Sequence, residues 1–182
     1  MSISFDELFS KVRGNCQIPN RMLCLDPGET TGWALFEDHQ LVRWGQIPTV
    51  VDGKIKWHEL DLLFIDTMPD YVVCEDYRVY DHKLDRHSYS QVPTLRLIGG
   101  IDLMCNLGWY TVEEAEDVDN SYYEQHTCPI HYQMAVTAKS FCTDEKLKQW
   151  GFWQEGMRHS RDAIRHGCYF LLFFNKGKNI DY

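Results

Sequence analysis

Three acidic side chains and one histidine have types and spacings that could bind metal ions or phosphates. Asp26 ends the apolar run MLCLD, and Glu75 follows the apolar run YVVC. His159 and Asp162 are three residues apart, which places them on one face of a helix. If the two runs are neighbouring strands and this helix crosses their ends, the four side chains converge. Their carboxylate oxygens would suit Mg²⁺ or Mn²⁺, and two such ions about 3.5–4 Å apart can drive phosphodiester hydrolysis.

Each of these residues also has an ordinary structural interpretation. An acid at a strand end is usually a solvated cap, and on spacing alone His159 is more often a surface histidine. The loop after Asp26, PGETTG, suits either bare metal ions or the metal and phosphates of a nucleotide. In this loop Gly28 and Gly32 would permit tight turns, while Thr30 and Thr31 would bring hydroxyls near the ligand.

The elements that must position these residues alternate between strand and helix patterns. A helical extension is predicted within residues 1–20, with helical spacing over 3–13, and a loop insertion is predicted over 117–133. The remaining predicted elements are strands at 22–26, 32–38, 39–48, 70–77 and 109–116 and helices at 57–68, 92–108 and within 144–174, broken near Gly151. This order predicts one mixed α/β domain over residues 1–182.

Composition narrows the class of protein. The 182 residues, 44% of them hydrophobic, can bury a core without staples. No apolar run is long enough to span a membrane, and the first twenty residues do not resemble a secretory signal. Seven cysteines without a CxxC pair favour a reduced, cytosolic protein. The net charge of −9 argues mildly against a general nucleic-acid binder, although a metal-dependent nuclease clusters carboxylates.

Two sets of basic and aromatic residues could contact nucleic acid. After Glu75, Tyr77 and Tyr80 could stack on an unpaired base. Arginines and lysines of the same region could meet phosphates, namely Arg78, Lys83, Arg86 and Arg96. A second basic set surrounds Asp162 and comprises Lys139, Lys146, Lys148, Arg158, Arg161 and Arg165. The alternative is that the tyrosines cap the core and the charges belong to solvated loops.

Two further patterns have weaker functional interpretations. His126, Cys128 and His131 are ligand types that zinc accepts, but their spacing lacks a fourth ligand. The aromatic residues Trp150, Phe152 and Trp153 are interpreted as core rather than as a stacking platform.

Four segments together resemble a known family. They are LDPGETTGWALF, DYVVCEDYRVY, LRLIGGIDLM and HSRDAIRH, and they resemble the four motifs of RuvC-like Holliday junction resolvases, particularly the compact bacteriophage type. The resemblance covers roughly residues 20 to 175. The N-terminal helix and the insertion at 117–133 lie outside the core that the family shares. It implies a ribonuclease H-like fold, with a five-stranded mixed sheet whose first three strands are antiparallel, flanked by helices.

The resemblance also implies an activity, a cofactor and a partner. The activity is that of a crossover junction endodeoxyribonuclease of DNA recombination and repair. As a homodimer with Mg²⁺, it would nick two strands of a four-way junction symmetrically and leave 5′-phosphates. Asp26, Glu75 and Asp162 become metal ligands, His159 takes the fourth position, and Lys139 is the candidate for an assisting lysine. The expected location is the cytosol of a bacterium or of a phage-infected host.

Other classes remain open at this point. A flap, branch or packaging nuclease, or a ribonuclease H-type enzyme, would use the same centre. A ribonuclease H-like module could instead bind branched DNA without cutting it. The presence of all three carboxylates argues against this alternative. An actin- or Hsp70-like ATP-binding protein shares the fold and a related loop, but it needs two such domains and therefore far more than 182 residues.

Overall fold

Six helices and nine strands make up the part of the chain that the structure describes. The structure is a computed structural model, and it describes residues 3–13, 17–77, 92–113 and 122–174. In chain order the elements are α1 (Phe5–Arg13), β1 (Arg21–Asp26), β2 (Thr30–Glu37), β3 (Gln40–Pro48), β4 (Val50–Val51), β5 (Lys54–Ile55), α2 (Trp57–Thr67), β6 (Tyr71–Asp76), α3 (Val92–Leu107), β7 (Trp109–Glu113), β8 (Tyr122–His126), β9 (Ile130–Met134), α4 (Ala135–Phe141), α5 (Asp144–Gln149) and α6 (Arg158–Phe173).

A five-stranded mixed sheet forms the centre of the fold. Its spatial order is β3-β2-β1-β6-β9. The pairs β1–β2 and β2–β3 are antiparallel, whereas β1–β6 and β6–β9 are parallel. The predicted α/β class, with five mixed strands of which the first three are antiparallel, is therefore confirmed.

Helices cover both faces of this sheet. Because successive side chains of a strand point to opposite faces, Met22 and Cys24 of β1 pack in the core beneath α1 and α6. Leu23 and Leu25 pack in the second core, beneath α2 and α3. Burial on both sides explains why β1 is a continuous apolar run rather than an alternating one. By the same alternation, Asp26 belongs to the face that α6 covers.

Helix α6 crosses the middle of the sheet at close range. It packs mainly on β2 and β1, and a side chain at Gly167 would meet Phe36 of β2 at 2.2 Å. Helix α1, predicted from its amphipathic spacing, is confirmed and packs against α6. Its Phe5 contacts Trp150 and Phe152, which confirms that these two aromatic residues belong to the core.

The prediction for the fifth strand of the sheet was wrong. Residues 109–113 form β7, which pairs with β8 in a separate two-stranded sheet. The edge strand of the main sheet is β9, which lies within and just after the segment predicted as a loop at 117–133. Its sequence, IHYQM, alternates apolar and polar residues over only five positions inside a polar, aromatic segment. WYTVE, in contrast, has the aromatic and β-branched content typical of strands.

Two further features bear on the class of protein. Within the described residues, no helix combines the length and the apolar character that crossing a membrane requires. The cysteines described there are all buried free thiols, as expected for a reduced protein.

Candidate functional site

Asp26 and Glu75 are neighbours at the ends of two parallel strands. The register pairs Leu25 of β1 with Cys74 of β6, so the next residue of each strand, Asp26 or Glu75, lies at the same sheet edge. Asp26 is only 7% exposed, and Glu75 is partly buried beside it. A buried carboxylate is costly unless a positive group or a hydrogen-bond donor compensates it.

Helix α6 brings His159 to Asp26. His159 Nδ1 lies 2.8 Å from Asp26 Oδ2. The helix can approach because Gly32, the register partner of Asp26 on β2, has no side chain. A Cβ there would lie 2.0 Å from the carbonyl carbon of His159. Gly32 therefore permits a close approach and does not form the tight turn predicted from the loop sequence.

Gln46 fixes the first turn of this helix. Gln46 pairs with Gly32 in the β2–β3 register, and its Oε1 accepts a hydrogen bond of 3.0 Å from the backbone N–H of His159. The first N–H groups of a helix have no partner within the helix. Gln46 thus satisfies one of them and anchors the start of α6 over the sheet.

Asp162 lies one turn further along α6 and is linked to Glu75 by a lysine. Lys139 of α4 places its Nζ 3.0 Å from Asp162 Oδ2 and 3.6 Å from Glu75 Oε2. Arg165 also contacts Asp162 and extends to Asp144 of α5. The three predicted carboxylates therefore converge, with Lys139 between two of them.

The surroundings shift the pKa values of the first pair in opposite directions. Burial, together with the charges of Glu75 and Asp162, raises the pKa of Asp26 against the hydrogen bond from His159. Burial would also raise the pKa of Glu75, but the hydrogen bond from His166 and the charge of Lys139 lower it. The hydrogen bond to Asp26 raises the pKa of His159, against the effect of burial.

The donor chemistry of this cluster fits a hard divalent ion. Two buried carboxylates and one partly buried carboxylate at one edge offer the oxygen ligands that Mg²⁺ and Mn²⁺ prefer. Burial, aided by the charges of Glu75 and Asp162, raises the pKa of Asp26. Across the described ranges, however, no three His, Cys, Asp or Glu side chains are arranged as a ready-made metal site. Their oxygens instead contact His159, Lys139 and His166.

Two residues of the site were missed by sequence reasoning. His166 of α6 lies 2.9 Å from Glu75 through its Nε2, and Gln133 of β9 contacts the other ring nitrogen of His166 at 2.9 Å. The helical spacing from Asp162 to His166, four residues, was the available signal. Gln133 was missed because β9 was not predicted.

The hydroxyl of Thr31, predicted to lie near a bound ligand, is hydrogen-bonded within its own loop. The buried hydroxyl of Thr31 lies 2.7 Å from the hydroxyl of Thr49, and Thr49 donates a 2.6 Å hydrogen bond to the carbonyl of Gly28. These contacts fold the loop onto itself. They use the hydroxyl that a nucleotide-binding loop would offer to phosphate.

Part of the predicted DNA-contacting set gathers beside Asp162. Lys139, Arg158 and Arg161 line a cavity of about 460 Å³. The rest of its lining is Thr143, Arg165 and the acidic residues Asp144, Glu145 and Asp162. Of the first basic set, Tyr77 directly follows β6 and is partly exposed. The residues Arg78, Tyr80, Lys83 and Arg86 lie outside the described residues.

Other charged residues of the predicted set pack on aromatic rings. Lys146 lies over Phe141, 3.4 Å from the ring centroid. Lys148 and Arg161 lie over Trp153, at 4.5 and 4.3 Å. Trp153 is therefore a partly buried platform for cations at the border of the core.

The zinc alternative is not supported. Cys128 packs in the core beneath α2 and α3, whereas His131 contacts Phe170 and Phe174 beyond the opposite face. His126 is hydrogen-bonded to Thr111 at 2.8 Å. The three side chains diverge.

Comparison with known proteins identifies the fold. No protein-family model matches the chain, and no curated protein matches it in sequence. Among solved structures it is similar to RuvC of T. thermophilus in complex with a Holliday junction substrate, with a TM-score of 0.55 and 12% identity over 84% of this chain and 93% of that one. It is also similar to the yeast mitochondrial Holliday junction resolvase Ydc2, with a TM-score of 0.50 and 12% identity over 91% and 84%. The ribonuclease H-like fold implied by the four motifs is confirmed.

Proposed function

We propose that this protein is a metal-dependent endonuclease that resolves four-way DNA junctions by paired, symmetric nicks. The carrying observation is the convergence of Asp26, Glu75 and Asp162, from three elements, at one edge of the sheet. The fold shared with two junction resolvases supports the choice of substrate.

The three carboxylates, with His159 as the fourth group, would hold Mg²⁺, for which Mn²⁺ would substitute. When bound, the ions supply an activated water and neutralise charge on the phosphodiester. The hydrogen bond between His159 and Asp26 holds that carboxylate in one orientation. Lys139, within 3.6 Å of Glu75 and 3.0 Å of Asp162, is close enough to stabilise negative charge that develops on the scissile phosphate. The products would carry 5′-phosphates.

The cavity beside Asp162, lined by basic and acidic residues, is the proposed path of the DNA backbone. Arg158 is exposed at its edge, and with Lys139 and Arg161 it offers positive charge next to the carboxylates. Tyr77 follows Glu75 directly and would stack on a base near the cut. The residues Arg78, Tyr80, Lys83 and Arg86 complete the proposed contact set.

The proposal extends to assembly and location. A homodimer would present two centres to the two strands that are cut. Free buried thiols are typical of a reducing compartment, which supports action in the cytosol of a bacterium or a phage-infected host.

A panel of substrates tests the proposal. Four-way junctions, flaps, RNA–DNA hybrids and linear duplex are incubated with the protein in Mg²⁺ and in a chelator. We expect cutting of junctions in Mg²⁺ and none in the chelator. Asp26→Asn should abolish cutting and keep junction binding. Arg158→Ala should weaken binding and reduce the slope of log affinity against log salt by about 1, as for the loss of one phosphate contact.

Three results would decide against the proposal or narrow it. If Asp26→Asn cuts at the wild-type rate, the metal centre is assigned to the wrong residues. If flaps or hybrids are cut as well as junctions, the protein is a nuclease of another class. Tight ATP binding with no DNA cutting would favour the actin- or Hsp70-like alternative, although the internal hydrogen bond of Thr31 argues against it.

A further inference from the structure

A buried histidine stands behind Glu75, away from the opening of the site. His166 is 0% exposed and lies on α6, four residues after Asp162, on the same helix face. Its Nε2 is 2.9 Å from Glu75 Oε2. Both of its ring nitrogens have protein partners, Glu75 at Nε2 and Gln133 at Nδ1, so these partners determine which ring nitrogen carries the proton.

The side chain of Gln133 determines which ring nitrogen of His166 carries the proton. Its amide nitrogen lies 2.9 Å from His166 Nδ1 and 3.3 Å from the backbone oxygen of the same residue. The second contact fixes the amide orientation, because the reversed amide would set Oε1 against a carbonyl oxygen. The amide therefore donates to both atoms. Nδ1 accepts, and the proton of a neutral ring resides on Nε2, facing Glu75.

The register of the sheet places the Gln133 amide within hydrogen-bond distance of His166. Gln133 of β9 is the Cα partner of Glu75 of β6, and it is only 6% exposed. Three elements, β6, β9 and α6, thus contribute one residue each to a chain that runs from Gln133 through His166 to Glu75. Side chains held in this way at both ends have little rotamer freedom.

We propose that Gln133 and His166 are positioning residues that orient Glu75 for metal binding by donating a hydrogen bond from a neutral imidazole. This inference rests on the proposed function, since it assigns Glu75 as a ligand. A neutral donor orients one carboxylate oxygen without cancelling the charge of the group, which leaves Glu75 anionic toward a cation. Hydrogen-bonded partners of this kind commonly orient ligands and raise metal affinity.

The tautomer is tested first, without DNA or metal. Nitrogen-15 labelled histidine in the intact protein is observed by long-range proton–nitrogen NMR correlation, and His166 is assigned by the loss of its signals in His166→Gln. We expect a neutral ring with the proton on Nε2. In Gln133→Met, which removes the donor at similar volume, we expect a mixture of both tautomers. A proton on Nδ1 in the wild type would overturn the proposal.

Variants test the consequence. His166→Leu removes the donor, and we expect its affinity for Mn²⁺ in the absence of DNA, and its rate of junction cutting, to fall by about 10–100-fold. His166→Gln can still place an amide N–H near Glu75 and should recover most of both. Gln133→Met should lose less, and the double variant Gln133→Met/His166→Leu should be no worse than His166→Leu alone, as expected for residues acting through one another.

The outcomes separate this inference from the proposed function. If the wild type binds Mn²⁺ and loses that affinity in His166→Leu but cuts no DNA, the positioning role stands and the proposed function fails. If the wild type cuts junctions and His166→Leu cuts them equally at every Mg²⁺ concentration, the positioning role fails. If His166→Leu does not fold, the positioning role is still tested by the wild-type tautomer and by the comparison of Gln133→Met with the wild type.

Discussion

At the residue scale, the centre is defined by how each carboxylate is compensated. Asp26 meets His159, Glu75 meets His166, and Asp162 meets Lys139. The net charge of −9 for the chain therefore says little about this edge of the sheet, where acids and cations interleave. Of these partners, Lys139 is the one that a bound metal ion would displace most readily, because its side chain is long and flexible.

The pair of His159 and Asp26 should make metal-free stability depend on pH. Because the folded-state pKa of His159 is raised, the pair stabilises the fold fully below the unfolded histidine value of about 6.5, provided that Asp26 is ionised. The stabilisation is lost as the pH rises through the raised value. With the imidazole side chain 41% exposed, we expect at most about 1 kcal/mol.

Urea unfolding in a chelating buffer at a series of pH values measures this effect. The control is His159→Gln, which cannot titrate at this position. The difference in free energy of unfolding between the wild type and this variant should shrink as the pH rises. A constant difference across the series would contradict the pairing.

At the element scale, one glycine sets how closely α6 approaches the sheet. Asp26, Gly32 and Gln46 are aligned across β1, β2 and β3, and the start of α6 lies directly over Gly32. Because Gly32 has no side chain, His159 can come close to the sheet. Its imidazole then reaches Asp26, and the backbone N–H of His159 reaches Gln46.

Gly32→Ala should therefore damage the centre. Its Cβ would lie 2.0 Å from backbone atoms of His159, which cannot rotate away as a side chain can, so the start of α6 must shift. We expect a loss of about 1–3 kcal/mol in stability, as for overpacking, and a larger fractional loss of junction cutting than of junction binding. Gly99→Ala makes the same chemical change on α3, where a Cβ meets nothing within 4 Å. This control should retain activity and stability, and equal effects of the two changes would refute the close-approach argument.

The same scale shows what the sequence could predict. Continuous apolar runs located β1 and β6, and with them Asp26 and Glu75, because a strand buried on both faces has an unmistakable pattern. Strand β9 has a polar, aromatic sequence and gains its place only by pairing with β6. For that reason the role of Gln133 was not predicted from the sequence. His166 lay inside the quoted motif HSRDAIRH but had no assigned partner, since the contact with Glu75 depends on tertiary packing.

At the scale of the whole molecule, the proposed activity needs more than one copy. The described part of the chain contributes one set of Asp26, Glu75 and Asp162, and resolving a junction requires cuts in two strands. Two chains related by a two-fold axis would match the symmetry of a four-way junction, and closed two-fold dimers are the commonest assemblies of identical chains.

A plasmid carrying an extruded cruciform tests this assembly. A dimer with two working centres should convert it to the linear form within one binding event, and light scattering should give twice the chain mass of 21.5 kDa. Preincubation with excess Asp26→Asn should form mixed dimers that cut one strand, so nicked circles should accumulate in place of linear DNA. Excess Gly99→Ala is the matched control, since it keeps the three carboxylates and a Cβ there meets nothing within 4 Å, so it should still yield linear product. A monomeric protein that releases nicked circles before any linear form would contradict the dimer while leaving the nuclease centre intact.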